Sequence, residues 1–242
     1  MLKFAQQNVW GGIASVERTL ERITDAHKAR YDREGYLLIR KLIPEDVVDR
    51  AERAIHRVIR NYSELATQTE FHHQLHAPAE ELDLISIFSP EFRETAARLS
   101  GDDPYTFAVP RQPWALVIFP YGTEWRWPDP HVDHALLEDQ FKIFPLPFRI
   151  ASISYLTDVP SHGGGTIVWP GSHKKLEAFV KRNRKDYRYM SDLNLNLQKI
   201  PLNPPVELKP RRGDVLFYHA LCAHSAGMNV SDIPRLALGK KW

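Results

Sequence analysis

His131-Val132-Asp133 sets an imidazole and a carboxylate two positions apart. On an extended segment such residues share one face, because side chains alternate with period two, so the pair can grip a single ion from one side. Of the eleven histidines, only His131 has an acidic residue at the second position after it. A third ligand must come from elsewhere, and His219 and His224 are the candidates. Two imidazoles and one carboxylate on one face of a metal suit Fe(II) and leave the opposite positions open to reactants. Arg235 adds a second chemistry. Its apolar neighbours Ile233, Pro234, Leu236 and Leu238 suggest a strand that points it inward. There a planar guanidinium would hold a carboxylate through two parallel charge-assisted hydrogen bonds. One metal ion and one small dicarboxylate are the expected occupants.

The elements that must carry these residues divide the chain in two. Ile13, Val16, Leu20 and Ile23 recur at helical spacing and predict a helix over Gly11 to Arg33, stopped by Gly35, with a short strand at Tyr36 to Ile39. Pro44-Glu45-Asp46 starts a second helix, whose buried stripe is Val47, Val48, Ala51, Ile55, Val58 and Ile59. Ser89-Pro90-Glu91 starts another, ending near Gly101. Between them, His72, His73 and His76 lie among Gln, Thr and Glu with no strong period, which reads as a solvated loop or a pocket lid. From Pro104 the character changes to short apolar runs between Pro and Gly. Trp114–Phe119, Arg149–Leu156, Gly165–Trp169 and Val215–Ala220 all predict strands. No crossover helices alternate with them, so a sandwich or jelly roll is expected rather than a parallel sheet. Ser172 is offered as an N-cap of a helical insertion over 172–189. The expected organisation is a single domain over 1–242, mainly helical through 103 and a β core over 104–242.

Composition bounds the remaining possibilities. At 242 residues, 43% hydrophobic and 26% charged, the chain is of ordinary globular make-up. A net charge of +2 argues against a nucleic-acid partner. The single cysteine, Cys222, allows no internal disulfide and favours a reducing compartment. Gln6, Gln7 and Asn8 interrupt the opening apolar residues, so no membrane partner is expected and the location is read as cytoplasmic. Nothing in the sequence speaks to oligomeric state.

Taken together, the motifs carry a resemblance. His131-Val132-Asp133 is followed by Gly163-Gly164-Gly165-Thr166-Ile167-Val168-Trp169-Pro170-Gly171-Ser172-His173-Lys174, then by Gly213-Asp214, His224 and Arg235. With Asp32-Arg33-Glu34-Gly35-Tyr36-Leu37 and Ile43-Pro44-Glu45 near the start, this succession resembles the phytanoyl-CoA dioxygenase family of Fe(II)- and 2-oxoglutarate-dependent oxygenases. The resemblance implies a mainly β fold with flanking helices (α+β), a cupin-like double-stranded β-helix or jelly roll, with iron at its mouth. It implies His131, Asp133 and His224 as catalytic metal ligands, which leaves His219 to a role behind the ligands or in packing. It further implies Arg235 as the anchor of 2-oxoglutarate, O2 as co-reactant, and release of succinate and CO2. Two positions depart from the family pattern: Ala226 and Ala237 stand where many members carry a small hydroxyl residue beside the cosubstrate.

Retention of Asp133 favours C–H hydroxylation over halogenation, since related halogenases replace that carboxylate to admit chloride. The substrate is expected to be a small molecule. Trp114 and Leu116 would share a face of the strand leading to the ligands, and Arg126 lies in the loop after it, so these three are the expected substrate contacts. Two other readings compete: a non-oxidative cupin-like metal protein, and an inactive oxygenase-fold binding module. Retained Arg235 counts against the first and the intact triad against the second.

Overall fold

The computed structural model describes residues 23–103, 107–122, 124–133, 142–144, 146 and 148–242. Ile13, Val16 and Leu20 of the first expected helix lie outside these residues. Helix α1 runs over Asp25–Glu34, capped by the Thr24 side chain and closed by Gly35 at φ 82°. Ile23 therefore precedes the helix and does not belong to it. A hydroxyl at Thr24 that satisfies the His27 amide sets the start, a local signal stronger than apolar spacing. Strand β1 (Tyr36–Ile39) follows at once, and α2 (Glu45–Asn61) starts behind Pro44 with Val48, Ala51, Ile55 and Val58 buried. Helix α3 is one turn (Leu82–Ile85), and α4 (Pro90–Ser100) is capped by Ser89 and ended by Gly101, as the sequence predicts.

The strands form two antiparallel sheets. The larger runs in the order β1, β8 (Val215–His219), β5 (Ile150–Tyr155), β10 (Arg235–Lys241), β4 (Trp114–Phe119), β3 (His73–Pro78), β2 (Thr67–Gln68). The smaller runs β7 (Val206–Glu207), β6 (Thr166–Val168), β9 (His224–Ala226). Period-two alternation gives the larger sheet two unlike faces. Leu37, Leu75, Val117, Phe217, Leu236 and Leu238 pack under the helices with Val48, Ile55 and Phe92. Tyr36, Ile153, Tyr155, Leu216, Tyr218 and Ala237 face Val168 of the smaller sheet. This is the expected jelly roll, and the space between its sheets is the chamber that matters below.

Two expectations are corrected. The histidine segment is not a loop, because β3 pairs along its whole length with β4, Leu75 opposite Val117 and His76 opposite Leu116. Its period was masked because the face that alternates with Leu75 and Ala77 is polar and points into the chamber. Ser172 does not cap its helix. Gly171, at φ 74°, occupies that position, and Ser172 opens α5 (Ser172–Arg182) with its hydroxyl accepting from the Ala223 amide at 2.8 Å. Helix α6 (Met190–Asn194) completes the insertion, and Leu176, Val180, Met190 and Leu193 form its core with Val132 and Leu221.

His219 and His173 form a separate, mostly buried pair, ring centroids 5.3 Å apart. The His173 Nε2 faces the Asp32 carbonyl at 3.2 Å, and the His219 Nδ1 accepts from the Leu221 amide at 3.0 Å. Burial and the neighbouring His173 push His219 down to about 4, and burial lowers His173 as well, against the weaker opposing pull of Glu177 and Asp32. Both rings are therefore neutral in the fold. A histidine depressed below its unfolded value stabilises fully above that value, and the contribution is lost as pH falls toward the folded value. Metal-free protein is expected to lose at most about 3 kcal/mol of unfolding free energy from His219 between pH 6.5 and 4. Denaturant unfolding across that range, compared with His219→Gln, reads the effect; equal slopes would contradict it.

Candidate metal and cosubstrate site

His131, Asp133 and His224 converge, with one donor atom from each lying within 4.8 Å of the others. Two backbone hydrogen bonds bring them together. The His131 amide donates to the His224 carbonyl and the His224 amide to the His131 carbonyl, both at 2.9 Å. This bridge extends β9 by one pair and lays the ligand segment beside the small sheet. Val132 points the other way, 1% exposed in the core of the α5–α6 insertion. Burying it contributes about 2 kcal/mol and turns both its neighbours toward the chamber. Asn194 of α6 completes the grip: its Oδ1 accepts from the Val132 amide at 2.7 Å and its Nδ2 donates to the Val132 carbonyl at 2.9 Å.

Each ligand is oriented as metal binding requires. The His224 Nδ1 faces the Cys222 carbonyl at 2.9 Å, so that nitrogen carries the proton and Nε2 keeps its lone pair for a metal. Tyr218 donates to Asp133 Oδ2 at 2.8 Å, and Lys241 Nζ lies 3.2 Å from Oδ1. Burial alone would raise the Asp133 carboxyl. His224, Lys241 and His131 with the Tyr218 hydroxyl outweigh it and hold the group well below the usual carboxylate range. The site thus offers two imidazoles and one carboxylate, a donor set that fits Fe(II). His219, the rival third ligand, belongs to the histidine pair described above.

Arg235 opens β10 on the same inward face and is 3% exposed. Its Nε has no hydrogen-bond partner, and among the described residues no carboxylate pairs with it. Burial lowers its pKa while Tyr155 opposes the shift, and a guanidinium stays charged regardless. The guanidinium carbon is 6.0 Å from the Tyr155 ring centroid, and the Tyr155 hydroxyl shares a 2.6 Å hydrogen bond with Thr166 Oγ1. A buried cation without an anion is costly. The arrangement fits the remote carboxylate of 2-oxoglutarate, and Tyr155 and Thr166, which carry hydroxyls, stand opposite Ala237 and Ala226 in the strand registers.

Leu116 and Trp114 lie on this inward face, opposite Ala237 and Gly239 in the β4–β10 register. Trp114 is 36% exposed. Arg126 pairs with Glu70 at 3.3 Å and sits over the Phe71 ring, beside the β2–β3 turn. The sequence reading missed His72, His76, Tyr218, Lys241 and Asn194. His72 Nε2 donates to the Ala226 carbonyl at 2.8 Å and bridges the sheets. Burial lowers both His72 and His76, and Arg235 adds to the shift. Counting by two from Arg235 would have found Lys241, and counting by two through β3 would have found His76. No sequence signal marks Asn194.

Comparison with known proteins agrees with this geometry. No curated protein matches the chain. Among solved structures, the "non-heme alpha ketoglutarate dependent carbocyclase SnoK from nogalamycin biosynthesis" is similar at 22% identity and a TM-score of 0.66, covering 91% of this chain and 83% of that one. The "epimerase SnoN in complex with Fe3+, alpha ketoglutarate and nogalamycin RO" gives 21% and 0.61, covering 89% and 81%. "EctD from S. alaskensis with 2-oxoglutarate and 5-hydroxyectoine" gives 14% and 0.58, covering 90% and 75%. At such identities the likeness is one of fold. The family model for phytanoyl-CoA dioxygenase, in contrast, matches residues 31–237, nearly the whole described chain. With that match, a triad fitted to Fe(II) and a buried arginine fitted to 2-oxoglutarate, this chain belongs to the phytanoyl-CoA dioxygenase family of Fe(II)- and 2-oxoglutarate-dependent oxygenases.

Proposed function

We propose that the protein hydroxylates a C–H bond of a small-molecule metabolite, with 2-oxoglutarate converted to succinate and CO2. The observation that carries this reading is Arg235, a buried guanidinium with no carboxylate paired to it among the described residues, on the same chamber face as the triad. It argues against a non-oxidative metal protein, while the intact triad argues against an inactive binding module. Bound iron with 2-oxoglutarate supplies the O2-derived oxidant and the electrons.

The chain's own residues supply position. Arg235 holds the remote carboxylate, and Tyr155 and Thr166 form the polar wall beside it. Leu116 lines the apolar middle of the chamber, and Trp114 flanks its open side. His131, Asp133 and His224 fix the metal against that wall. Retained Asp133 leaves no ligand position for chloride, which favours hydroxylation over halogenation. Two similar structures are described as a carbocyclase and an epimerase. Product analysis therefore has to distinguish hydroxyl insertion from ring closure and inversion.

The direct test is an anaerobic titration of metal-free protein with Fe(II) and then 2-oxoglutarate, following the visible charge-transfer band of the chelated keto acid. A band is expected, and a panel of small metabolites should then stimulate succinate release. Iron binding with no band would sink the proposal. In the same titration Arg235→Met should keep iron but weaken 2-oxoglutarate on the order of 100-fold, the roughly 3 kcal/mol expected when one partner of a buried charge pair is lost. The variant should also lose any rise in melting temperature that 2-oxoglutarate gives the parent. Unchanged affinity would mean that the anchor is another residue. His224→Ala should abolish iron binding and His219→Ala should leave it intact; the reverse pattern would exchange their roles.

A further inference from the structure

We infer that Lys241 is a positioning residue that confines Asp133 to the metal through a single oxygen and so keeps one coordination position open. The inference rests on the Fe(II) and 2-oxoglutarate reading above.

The two oxygens of Asp133 have different surroundings. Oδ2 lies 3.7 Å from His224 Nε2, on the side where the triad converges, and accepts the Tyr218 hydroxyl at 2.8 Å. Oδ1 lies 3.2 Å from Lys241 Nζ. Lys241 is placed there by the strand. It is paired with Ala151 of β5 and lies six positions after Arg235, hence on the same inward face. Its ammonium is also 5.5 Å from the Phe148 ring centroid, so a cation–π contact steadies the side chain over the carboxylate.

For Asp133 to grip a metal with both oxygens, Oδ1 would have to swing toward the imidazoles. That rotation breaks a charge-assisted hydrogen bond to an ammonium and misaligns the bond from Tyr218. The difference matters because three single-atom protein ligands and a two-atom keto acid leave one of six positions for a gas molecule. A carboxylate binding through both oxygens would fill it. Lys241 therefore acts through Asp133, on where the metal stays open, without touching the metal.

Nitric oxide is the suitable probe, since it is uncharged and indifferent to the loss of a positive charge. Anaerobic protein loaded with Fe(II) and saturating 2-oxoglutarate is exposed to nitric oxide, and the paramagnetic resonance signal of the iron adduct is measured. The parent is expected to give a strong signal. Lys241→Met should retain iron with equal or higher affinity, because a nearby positive charge is gone, yet its signal should fall about tenfold or more, the scale of effect seen when a group supporting a metal ligand is removed. Lys241→Arg should restore most of it. Loosening of the fold would instead weaken iron binding and the signal together.

A Lys241→Met signal equal to the parent's would overturn the inference. So would loss of iron from both Lys241→Met and Lys241→Gln with melting temperatures near the parent's, since Lys241 would then serve metal affinity. Should Lys241→Met fail to fold, the signal of Lys241→Gln decides, with a parent-like value counting against the inference. Absence of the charge-transfer band from the parent itself would overturn the underlying cosubstrate reading, a result distinguishable from either of these.

Discussion

Everything catalytic in this protein hangs on the reciprocal pair of backbone hydrogen bonds between His131 and His224. The ligands they join lie far apart in sequence, and neither sits in the middle of a long strand. Strand β9 is three residues long, and His131 forms an isolated bridge beside it. Such a junction is weak alone. It is held because Val132 is pulled into the insertion core and Asn194 pairs with both polar atoms of its peptide. The helical insertion is therefore the part that makes a metal site from two strand ends.

Electrostatics divides the chamber into two ends with different states. At the triad, a carboxylate is surrounded by donors and cations, and its charged form is stabilised even before a metal arrives. At the start of β10, a guanidinium is buried beside the Tyr155 ring and hydroxyl, with no carboxylate paired to it among the described residues. The first end is nearly satisfied in the fold; the second is not. An arrangement that leaves a charge unpaired at the protein's own expense makes physical sense when a dianionic ligand completes it. The selectivity of the pocket for a dicarboxylate then follows from where the cost is stored.

Much of this was legible in the sequence, and the limits have physical causes. His131, Asp133, His224 and Arg235 could be named because motif spacing survives in one dimension. Strand β4 was read to the residue because six apolar and aromatic residues in a row have few other uses. Strand β3 was not read, because a chamber wall made of His and Gln replaces the apolar half of the usual alternation. The Ser172 cap was misread for another reason. A hydroxyl before a helix has the same appearance whether it serves its own helix or, as here, the Ala223 amide next to a metal ligand. Tyr155 and Thr166 meet only because β5 and β6 lie in facing sheets, and no local pattern encodes that meeting.

Strand β10 links the two ends of the chamber. Arg235, Ala237, Gly239 and Lys241 share its inward face, so one extended segment presents a guanidinium, two small residues and an ammonium in sequence. The small residues are as informative as the charged ones. Leu116 lies across Gly239 so closely that a Cβ there would stand 2.6 Å from Leu116 Cδ1. Since Leu116 pairs opposite Ala237 and leans over the next inward position, the apolar middle of the chamber is set by the absence of a side chain at Gly239. A larger residue at Gly239 would force Leu116 to shift. The departure at Ala237 then has a reading in packing: a small residue stands opposite Leu116, and the hydroxyls nearby belong to Tyr155, its neighbour on β5, and to Thr166 of the facing sheet.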